Sequence, residues 1–232
     1  MQNVFDSYIE NAMGEEEQAE FKFRQFEYNY KKYFPLDKNL NVLDIGIGRG
    51  EMLSCMKNWG YENYLGIDIS PSTVNFCKKI GLNCELVNDT TRWMQDNKNA
   101  FSVITLLDVL EHIPKTKIIN FLKSILESLT DDGLLIIQTP NMGSPDPVLH
   151  RYNDITHEFC FVEHSLRQVL MIAGFREFKF DGFQELLPDS IKHRIHLAIR
   201  SVYWAYIKLT RKISGSPSSN VLNPVFYCIA KK

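Results

Sequence analysis

A glycine-rich segment, VLDIGIGRGEML, carries the strongest chemical signal in the sequence. Gly46, Gly48 and Gly50 follow a run of aliphatic residues and precede a helical pattern. Glycines at a strand-to-helix turn let the backbone turn tightly and approach a ligand at the helix N-terminus. A dinucleotide-binding fingerprint would need glycine where this chain has Glu51. Because Glu51 and Asp44 would repel a pyrophosphate, the loop favours a ligand that carries positive charge.

Acidic side chains also follow the next two aliphatic runs, Asp68 in LGIDIS and Asp89 in VNDTT. The carboxyl ends of parallel strands meet at one edge of an open sheet, where ligands bind. Together with the glycine loop, these residues therefore predict a nucleoside pocket, with Asp68 placed to accept hydrogen bonds from ribose hydroxyls. The alternative is that the two carboxylates only cap the helices that follow them.

Short aliphatic runs alternate with helical patterns along most of the chain, which is typical of βαβ units and a mainly parallel sheet. The runs predict strands near residues 40–45, 63–67, 83–87, 101–107, 133–139, 175–181 and 225–230. Helices are predicted at about 50–59, 71–80 and 115–129. At this length, we expect residues 1–232 to form a single α/β domain.

Two segments depart from this alternation. Residues 1–37 contain an aromatic-rich pattern, EFKFRQFEYNYKKYFP, which predicts a helical cap on the domain. Residues 188–222 predict a helical insertion between the last two strands, with a basic helix over 189–213. The apolar stripe of that helix either covers the sheet edge or forms a homodimer interface; alternatively, the helix lies on an anionic membrane or over the site as a lid.

Composition excludes several classes of protein. With 26 Lys and Arg against 28 Asp and Glu, the chain has no general attraction for nucleic acid. The five cysteines are scattered without a C-x-x-C pair, which argues against a disulfide framework and a zinc finger. The acidic N-terminus does not look like a secretory signal, so we expect a cytoplasmic location, with contact at the inner face of the membrane as an alternative.

Five motifs occur in an order and spacing that resemble class I S-adenosylmethionine-dependent methyltransferases: VLDIGIGRGEML, LGIDIS, VNDTT, LLDVLEHIP and DDGLLIIQTPN. The resemblance implies a Rossmann-like seven-stranded sheet, mainly parallel, with the last strand antiparallel and helices on both faces. It implies S-adenosylmethionine as the cofactor, whose sulfonium and ammonium groups match the charge of the loop. The implied contacts are Asp44, Gly46 and Gly48 at the methionine moiety, Asp68 at the ribose, Ile69 and Asp89 at the adenine, and Leu107 and Asp108 along the pocket.

A narrower resemblance lies downstream. TPN and RYNDITHEFCFVEHSLRQVLMIAGF are similar to segments of bacterial methyltransferases that modify O-antigen and capsule polysaccharides. FKFRQFEYNYKKYFP resembles the N-terminal helix of that group, with Arg24 placed to meet the cofactor carboxylate. The resemblance implies O-methylation of a sugar or sugar-phosphate in surface glycan biosynthesis. Arg151, Tyr152 and Asn141 are the candidate acceptor contacts.

A sugar hydroxyl has a pKa far above neutral and needs a general base, for which histidine is the usual residue. His157 is the first candidate, with Asp154 placed to orient its imidazole, and His112 at the end of the fourth strand is the second. Glu111 is a further candidate. No metal is predicted, although His150, Asp154 and His157 offer an alternative divalent-metal site.

Other functions share part of this pattern. A methyltransferase for quinones or other small metabolites would have the same cofactor motifs, and a non-catalytic module that binds S-adenosylmethionine stays open. A nicotinamide-dependent oxidoreductase or epimerase would need a hydride-site pair such as Tyr-x-x-x-Lys beside the cofactor and the third glycine of the fingerprint, which this loop lacks.

Overall fold

Seven strands form a single sheet in the computed structural model, which describes residues 16–232. They are β1 (Val42–Ile45), β2 (Tyr64–Asp68), β3 (Cys84–Leu86), β4 (Phe101–Leu107), β5 (Leu129–Pro140), β6 (Glu177–Gly182) and β7 (Val225–Lys231). Their order is β3-β2-β1-β4-β5-β7-β6, and β7 runs antiparallel to both of its neighbours. The predicted Rossmann-like α/β fold, with its antiparallel last strand, is confirmed.

Eight α-helices lie between and around the strands in this part of the chain. They are α1 (Glu16–Tyr30), α2 (Glu51–Asn58), α3 (Pro71–Lys79), α4 (Thr90–Asp96), α5 (Ile118–Ser128), α6 (Pro147–Tyr152), α7 (Glu163–Ala173) and α8 (Ile191–Ile213). Short 3₁₀ turns follow α1 at Lys31–Tyr33 and β4 at Leu110–His112. The helical patterns over 50–59 and 71–80 correspond to α2 and α3, whereas α4 and α6 are too short to show a helical period.

Alternating residues of the central strands face two separate cores, as expected for a sheet covered on both faces. One core packs α1, α2 and α3 on one face, and the other packs α4, α5 and α7 on the opposite face. Val42, Val103 and Ile136 point into the first core, and Leu43, Ile104 and Ile137 point into the second. The carboxyl ends of β1, β2 and β4 remain at one edge, where the sequence predicts the pocket.

The helix predicted over 115–129 ends earlier than the sequence indicates. Leu129 is fully buried and pairs with Phe101, so it already belongs to β5. Pairing with β4 resumes at Leu134, and the residues between make a bulge. A Cβ on Gly133 would lie 2.9 Å from the Thr130 carbonyl oxygen, so this tight excursion requires glycine.

Helix α1 packs on one face of the sheet and belongs to the aromatic cap predicted over residues 1–37; residues 1–15 of that cap lie outside the described part. Tyr30 is fully buried, packs against the rings of Phe183 and Tyr227, and donates a hydrogen bond to Oε1 of Gln138 on β5. Asn29 accepts a hydrogen bond from the backbone N–H of Gln184 at 2.9 Å. These buried contacts fix α1 above the ends of β5 and β7.

Helix α8 occurs between β6 and β7 in the chain, and none of its side chains is buried against the described residues. Two of its arginines contact the body of the protein: Arg200 donates to Oε1 of Gln184 at 2.7 Å, and Arg211 donates to the Gly143 carbonyl at 2.9 Å. The apolar stripe points away, with Val202 73% exposed. The alternative in which this stripe covers the sheet edge is therefore wrong. No helix of the described chain is long and apolar enough to cross a membrane.

Replacing Tyr30 with phenylalanine tests how α1 is held. We expect the substitution to lower the free energy of unfolding by about 1–2 kcal/mol, because the buried amide oxygen of Gln138 loses its donor. Urea unfolding measures the change. Tyr28→Phe is the matched control, since Tyr28 is 48% exposed on the same helix. An equal loss in both variants would contradict this account.

Candidate active site

The three glycines of the loop after β1 have different surroundings. A Cβ on Gly46 would lie 2.3 Å from Cγ2 of Val109, and one on Gly50 would lie 2.4 Å from Cδ1 of Leu82. Both have positive φ, +75° and +79°, so packing and backbone conformation alike require glycine. A Cβ on Gly48 would meet nothing closer than 3.7 Å. The loop is therefore packed at both ends and open in the middle, where a ligand can approach the backbone.

Asp44 lies beneath this loop and is 2% exposed. Thr105 on the neighbouring strand donates a hydrogen bond to its carboxylate at 2.5 Å. Burial raises the pKa of Asp44 to about 7; the Thr105 hydrogen bond opposes the shift, and the nearby carboxylates of Glu51 and Asp68 add to it. A cation at the loop would favour the ionised form of this group.

Asp68 lies directly against the glycine loop, as predicted. Its carboxylate accepts a hydrogen bond from the backbone N–H of Ser70 at 2.8 Å and further bonds from those of Ile47 and Gly48. Burial raises the pKa of Asp68 and these bonds oppose that effect. Asp89 instead accepts from the backbone N–H of Arg92 at 3.0 Å and is the N-cap of α4, as the capping alternative anticipates.

Asp108 follows β4 in a left-handed conformation, with φ +54°. Nε2 of Gln138 donates to its carboxylate at 2.6 Å. Burial raises the pKa of Asp108, against the opposing effects of Gln138, of the Lys22 ammonium and of His157. Asp108 and Gln138 lie in a cleft of about 320 Å³ beneath α1, which Lys22 also lines.

Lys22, and not the predicted Arg24, is the cation of α1 that faces the glycine loop. Its ammonium contacts Glu51 at 3.2 Å, whereas Arg24 forms an ion pair with Asp189 at 2.7 Å. Residues two apart on a helix point in widely different directions, so Arg24 contacts Asp189 and not Glu51. The sequence pattern does not distinguish the two. A cofactor contact of Arg24 stays a prediction.

The structure brings His157 next to Glu111 and His112, although His157 lies far from these two neighbouring residues in the sequence. The ring centroids of the two histidines are 4.9 Å apart, and one ligand atom from each of the three residues lies within 4.8 Å of the others. The backbone carbonyl of Glu111 accepts hydrogen bonds from the N–H groups of Glu158 and Phe159 at 2.8 and 3.1 Å. This double contact fixes the loop that carries His157 beside the 3₁₀ turn that carries His112.

Glu111 is fully buried at the centre of this cluster. Its Oε2 accepts a hydrogen bond from Thr139 at 3.1 Å, while Oε1 has no hydrogen-bond partner among the described residues. Burial raises the pKa of Glu111 well above its usual range, and the nearby Asp108 adds to the shift. A buried carboxylate oxygen without a partner is uncommon in folded proteins.

Asp154 does not orient His157, contrary to the prediction. It accepts a hydrogen bond from the hydroxyl of Thr156 at 2.6 Å, and that hydroxyl lies 2.8 Å from Nδ1 of His112. Nδ1 of His157 lies 3.3 Å from the carbonyl oxygen of Arg151. Burial would raise the pKa of Asp154, but the Thr156 bonds and the two imidazoles lower it; burial lowers the pKa of His112. Asp154 thus acts on His112 through Thr156, a residue that sequence reasoning missed.

The alternative metal site at His150, Asp154 and His157 does not form. Among the described residues, the cluster contains Glu111 and His112 with His157, and neither His150 nor Asp154. Residues 153–160 form an irregular segment without helical or strand periodicity, so the sequence pattern could not predict which side chains of this segment meet His112.

The predicted acceptor contacts have unequal access. Tyr152 is 75% exposed, and the Arg151 guanidinium lies 5.2 Å from the centre of its ring. Asn141 is fully buried and its amide donates to the carbonyls of Val221 and Asn223 at 3.0 and 2.8 Å. Asn141 therefore fixes the end of β5 to the chain before β7, and its predicted contact with the acceptor is wrong for this arrangement.

The raised pKa of Asp44 makes stability depend on pH. Between about pH 4 and 7 the folded state keeps a proton on Asp44 that the unfolded chain has lost, so the free energy of unfolding falls as pH rises. Asp44→Asn still accepts the Thr105 hydrogen bond and does not titrate. We expect the variant to match the wild type near pH 4 and to exceed it by up to about 4 kcal/mol at pH 8. Guanidinium unfolding across this range measures the difference, which would be independent of pH if the account were wrong.

Comparison with solved structures places the fold among known enzymes. A structure of an S-adenosylmethionine-dependent methyltransferase from Archaeoglobus fulgidus is similar to this chain with a TM-score of 0.73 at 23% identity, covering 99% of this chain and 100% of the other. One from Thermotoga maritima has a TM-score of 0.66 at 14% identity, covering 98% and 99%. A Haemonchus contortus phosphoethanolamine N-methyltransferase 2 with bound S-adenosyl-L-methionine has a TM-score of 0.60 at 14% identity, covering 99% of this chain and 60% of the other.

Among curated protein sequences, none matches this chain. The family model described as a methyltransferase domain matches residues 18–177, which include the glycine loop, Asp68, Asp108 and the histidine cluster. That match covers well over half of the 232 residues. The chain belongs to this methyltransferase domain family and is an S-adenosylmethionine-dependent methyltransferase.

Proposed function

We propose that the enzyme methylates a hydroxyl of a sugar or sugar-phosphate during the biosynthesis of a surface glycan such as a capsule or lipopolysaccharide. The observation that carries the proposal is the pair of imidazoles of His112 and His157, whose ring centroids are 4.9 Å apart just beyond the end of β4. A hydroxyl needs activation before it attacks a methyl group, and imidazoles are the side chains best suited to remove its proton near neutral pH. The resemblance of the segment around Asp154 to polysaccharide methyltransferases supports a sugar acceptor.

We propose that the cofactor lies along the edge formed by the glycine loop, β2 and β4. The open backbone at Gly48, the buried carboxylate of Asp44 and the 38% exposed side chain of Ile69 support this placement. The proposed contacts are those implied by the sequence motifs, with Lys22 added at the loop: Lys22, Asp44, Gly46, Gly48, Asp68, Ile69, Asp89, Leu107 and Asp108.

The transfer itself is an in-line displacement. The acceptor oxygen forms a bond to the methyl carbon, the bond from that carbon to sulfur breaks, and the sulfonium becomes a neutral thioether. In the simplest form of the proposal His157 accepts the hydroxyl proton, since its Nδ1 faces the Arg151 carbonyl and its other nitrogen is available for the acceptor. Holding the three reacting atoms in line accounts for much of the rate enhancement in such reactions.

Mass spectrometry tests the acceptor class. The enzyme is incubated with S-adenosylmethionine and with panels of nucleotide sugars, phosphorylated sugars, glycan fragments, quinols and amines. We expect a gain of one methylene group on a sugar, with release of S-adenosylhomocysteine, and a loss of about 10²- to 10⁴-fold in turnover for His157→Ala. His164→Ala, at an exposed position of α7, is the matched control and should leave turnover unchanged. Methylation of a quinol or an amine without any sugar would contradict the proposal.

We also propose that α8 contacts an anionic membrane, where lipid-linked glycans are built. The segment 191–213 contains six Lys and Arg and no acidic residue. Its outward face is apolar, with Ile191, Val202 and Ile213 each more than 70% exposed. At 100° per residue, Lys192 flanks this face on one side and Lys212 on the other. An exposed apolar face between basic flanks is the pattern of helices that lie in the membrane interface.

Vesicle sedimentation tests this contact. We expect binding to phosphatidylglycerol vesicles that weakens in high salt and falls at least about tenfold in Val202→Asp, because one apolar side chain no longer enters the lipid. Ser201→Asp adds the same charge away from the apolar face and should reduce binding much less. A stable dimer in gel filtration without vesicle binding would favour the homodimer alternative and contradict this proposal.

A further inference from the structure

We infer that Glu111, His112 and His157 form a binding site for a divalent first-row transition-metal ion, at the end of β4. The role assigned to the ion, activation of an acceptor hydroxyl, rests on the proposed function. Binding of the ion itself can be tested without any acceptor.

The first support is the geometry of the three side chains. Two imidazoles and one carboxylate each offer an atom within 4.8 Å of the others. Around an ion with bonds of about 2.0–2.2 Å, neighbouring ligand atoms lie roughly 3–4 Å apart. The observed spacing is therefore within about 1–2 Å of that of a bound ion.

The second, independent support is the orphaned oxygen of Glu111. The side chain is fully buried, and Oε1 has no hydrogen-bond partner in the described part of the chain, although Oε2 is held by Thr139. A buried polar atom without a partner is unfavourable, and a cation beside it removes the penalty. The bond from Thr139 holds the carboxylate in a fixed place within the cluster.

The third support is the setting of the two imidazoles. A histidine that binds a metal usually has its other ring nitrogen hydrogen-bonded to a carbonyl or carboxylate, which fixes the orientation of the ring. Nδ1 of His157 lies 3.3 Å from the Arg151 carbonyl, and Nδ1 of His112 lies 2.8 Å from the Thr156 hydroxyl, which is bonded to Asp154. These contacts fix the orientation of both rings beside Glu111.

The ligand set selects the kind of ion. Two imidazoles with one carboxylate suit Mn²⁺, Fe²⁺, Co²⁺ or Zn²⁺, whereas Mg²⁺ and Ca²⁺ prefer sites made of oxygen atoms. Three protein ligands leave coordination positions open for an acceptor oxygen, and an ion in that place lowers the pKa of a bound hydroxyl. With an ion bound, the imidazoles hold the ion and the acidified hydroxyl gives its proton to solvent, which replaces the simplest form of the proposed function, in which His157 is itself the base.

Cobalt titration of the tag-free, chelator-treated protein tests the site. We expect one equivalent of Co²⁺ to bind, with visible d–d absorption, and Zn²⁺ to displace it. Glu111→Gln, His112→Gln and His157→Gln should each weaken Co²⁺ binding by more than about tenfold. His164→Gln, at an exposed position of α7, is the matched control and should bind Co²⁺ as the wild type does. Mg²⁺ is the probe for an oxygen-preferring site and should bind far more weakly.

Absence of Co²⁺ binding in the wild type, or unchanged affinity in the histidine variants, would overturn the inference. Circular dichroism confirms that each variant is folded; if Glu111→Gln does not fold, the two histidine variants still decide the outcome. Failure to methylate any sugar would overturn the proposed acceptor and leave the binding result intact. Sugar methylation at full rate in the presence of a chelator, without Co²⁺ binding, would overturn the inference alone.

Discussion

The pairing of β4 with β5 positions two acidic groups of the candidate site, Asp108 and Glu111. Its register sets Leu107 opposite Gln138, and the backbone N–H of Asp108 donates to the Gln138 carbonyl at 3.0 Å. The Gln138 side chain then holds the carboxylate of Asp108, and Thr139, the next residue of β5, holds that of Glu111. Since two adjacent residues of one strand fix two acidic groups beyond its neighbour, a slip of one residue in register would remove both contacts together.

The candidate site contains four carboxylates with raised pKa values. Burial raises the pKa of Asp44, Asp68, Asp108 and Glu111, because each charged form is poorly solvated. Such a concentration of acidic groups opposes folding at neutral pH, and local conflicts of this kind are expected at functional sites. In the proposed site, S-adenosylmethionine would bring a sulfonium and an ammonium to this edge, and its binding would offset part of the unfavourable charge.

The sequence predicts the elements that are determined by residues close together in the chain. It does not predict contacts between segments that are far apart in the chain. The strands and the glycine loop follow from local patterns of aliphatic residues and glycine. The link between Asp154 and His157 was inferred from their closeness in sequence, yet the loop fold connects Asp154 to His112 through a hydroxyl. Whether Lys22 or Arg24 faces the glycine loop depends on the orientation of α1 on the sheet. Which face of α8 points outward depends on which of its side chains pack against the body of the protein. No local pattern encodes either.

The glycine loop and the histidine cluster are coupled by direct packing. β1 and β4 are adjacent in the sheet, so the turns that follow them lie side by side. A Cβ on Gly46 would lie 2.3 Å from Val109, which directly precedes the turn carrying Glu111 and His112. A larger residue at position 46 would displace Val109 and the turn that follows it, and in the proposed site a displacement of about 1 Å can reduce the rate of methyl transfer about 10²-fold. In the proposed site, Gly46 would therefore set the distance between the methyl donor and the groups that activate its acceptor, as well as the shape of the glycine loop.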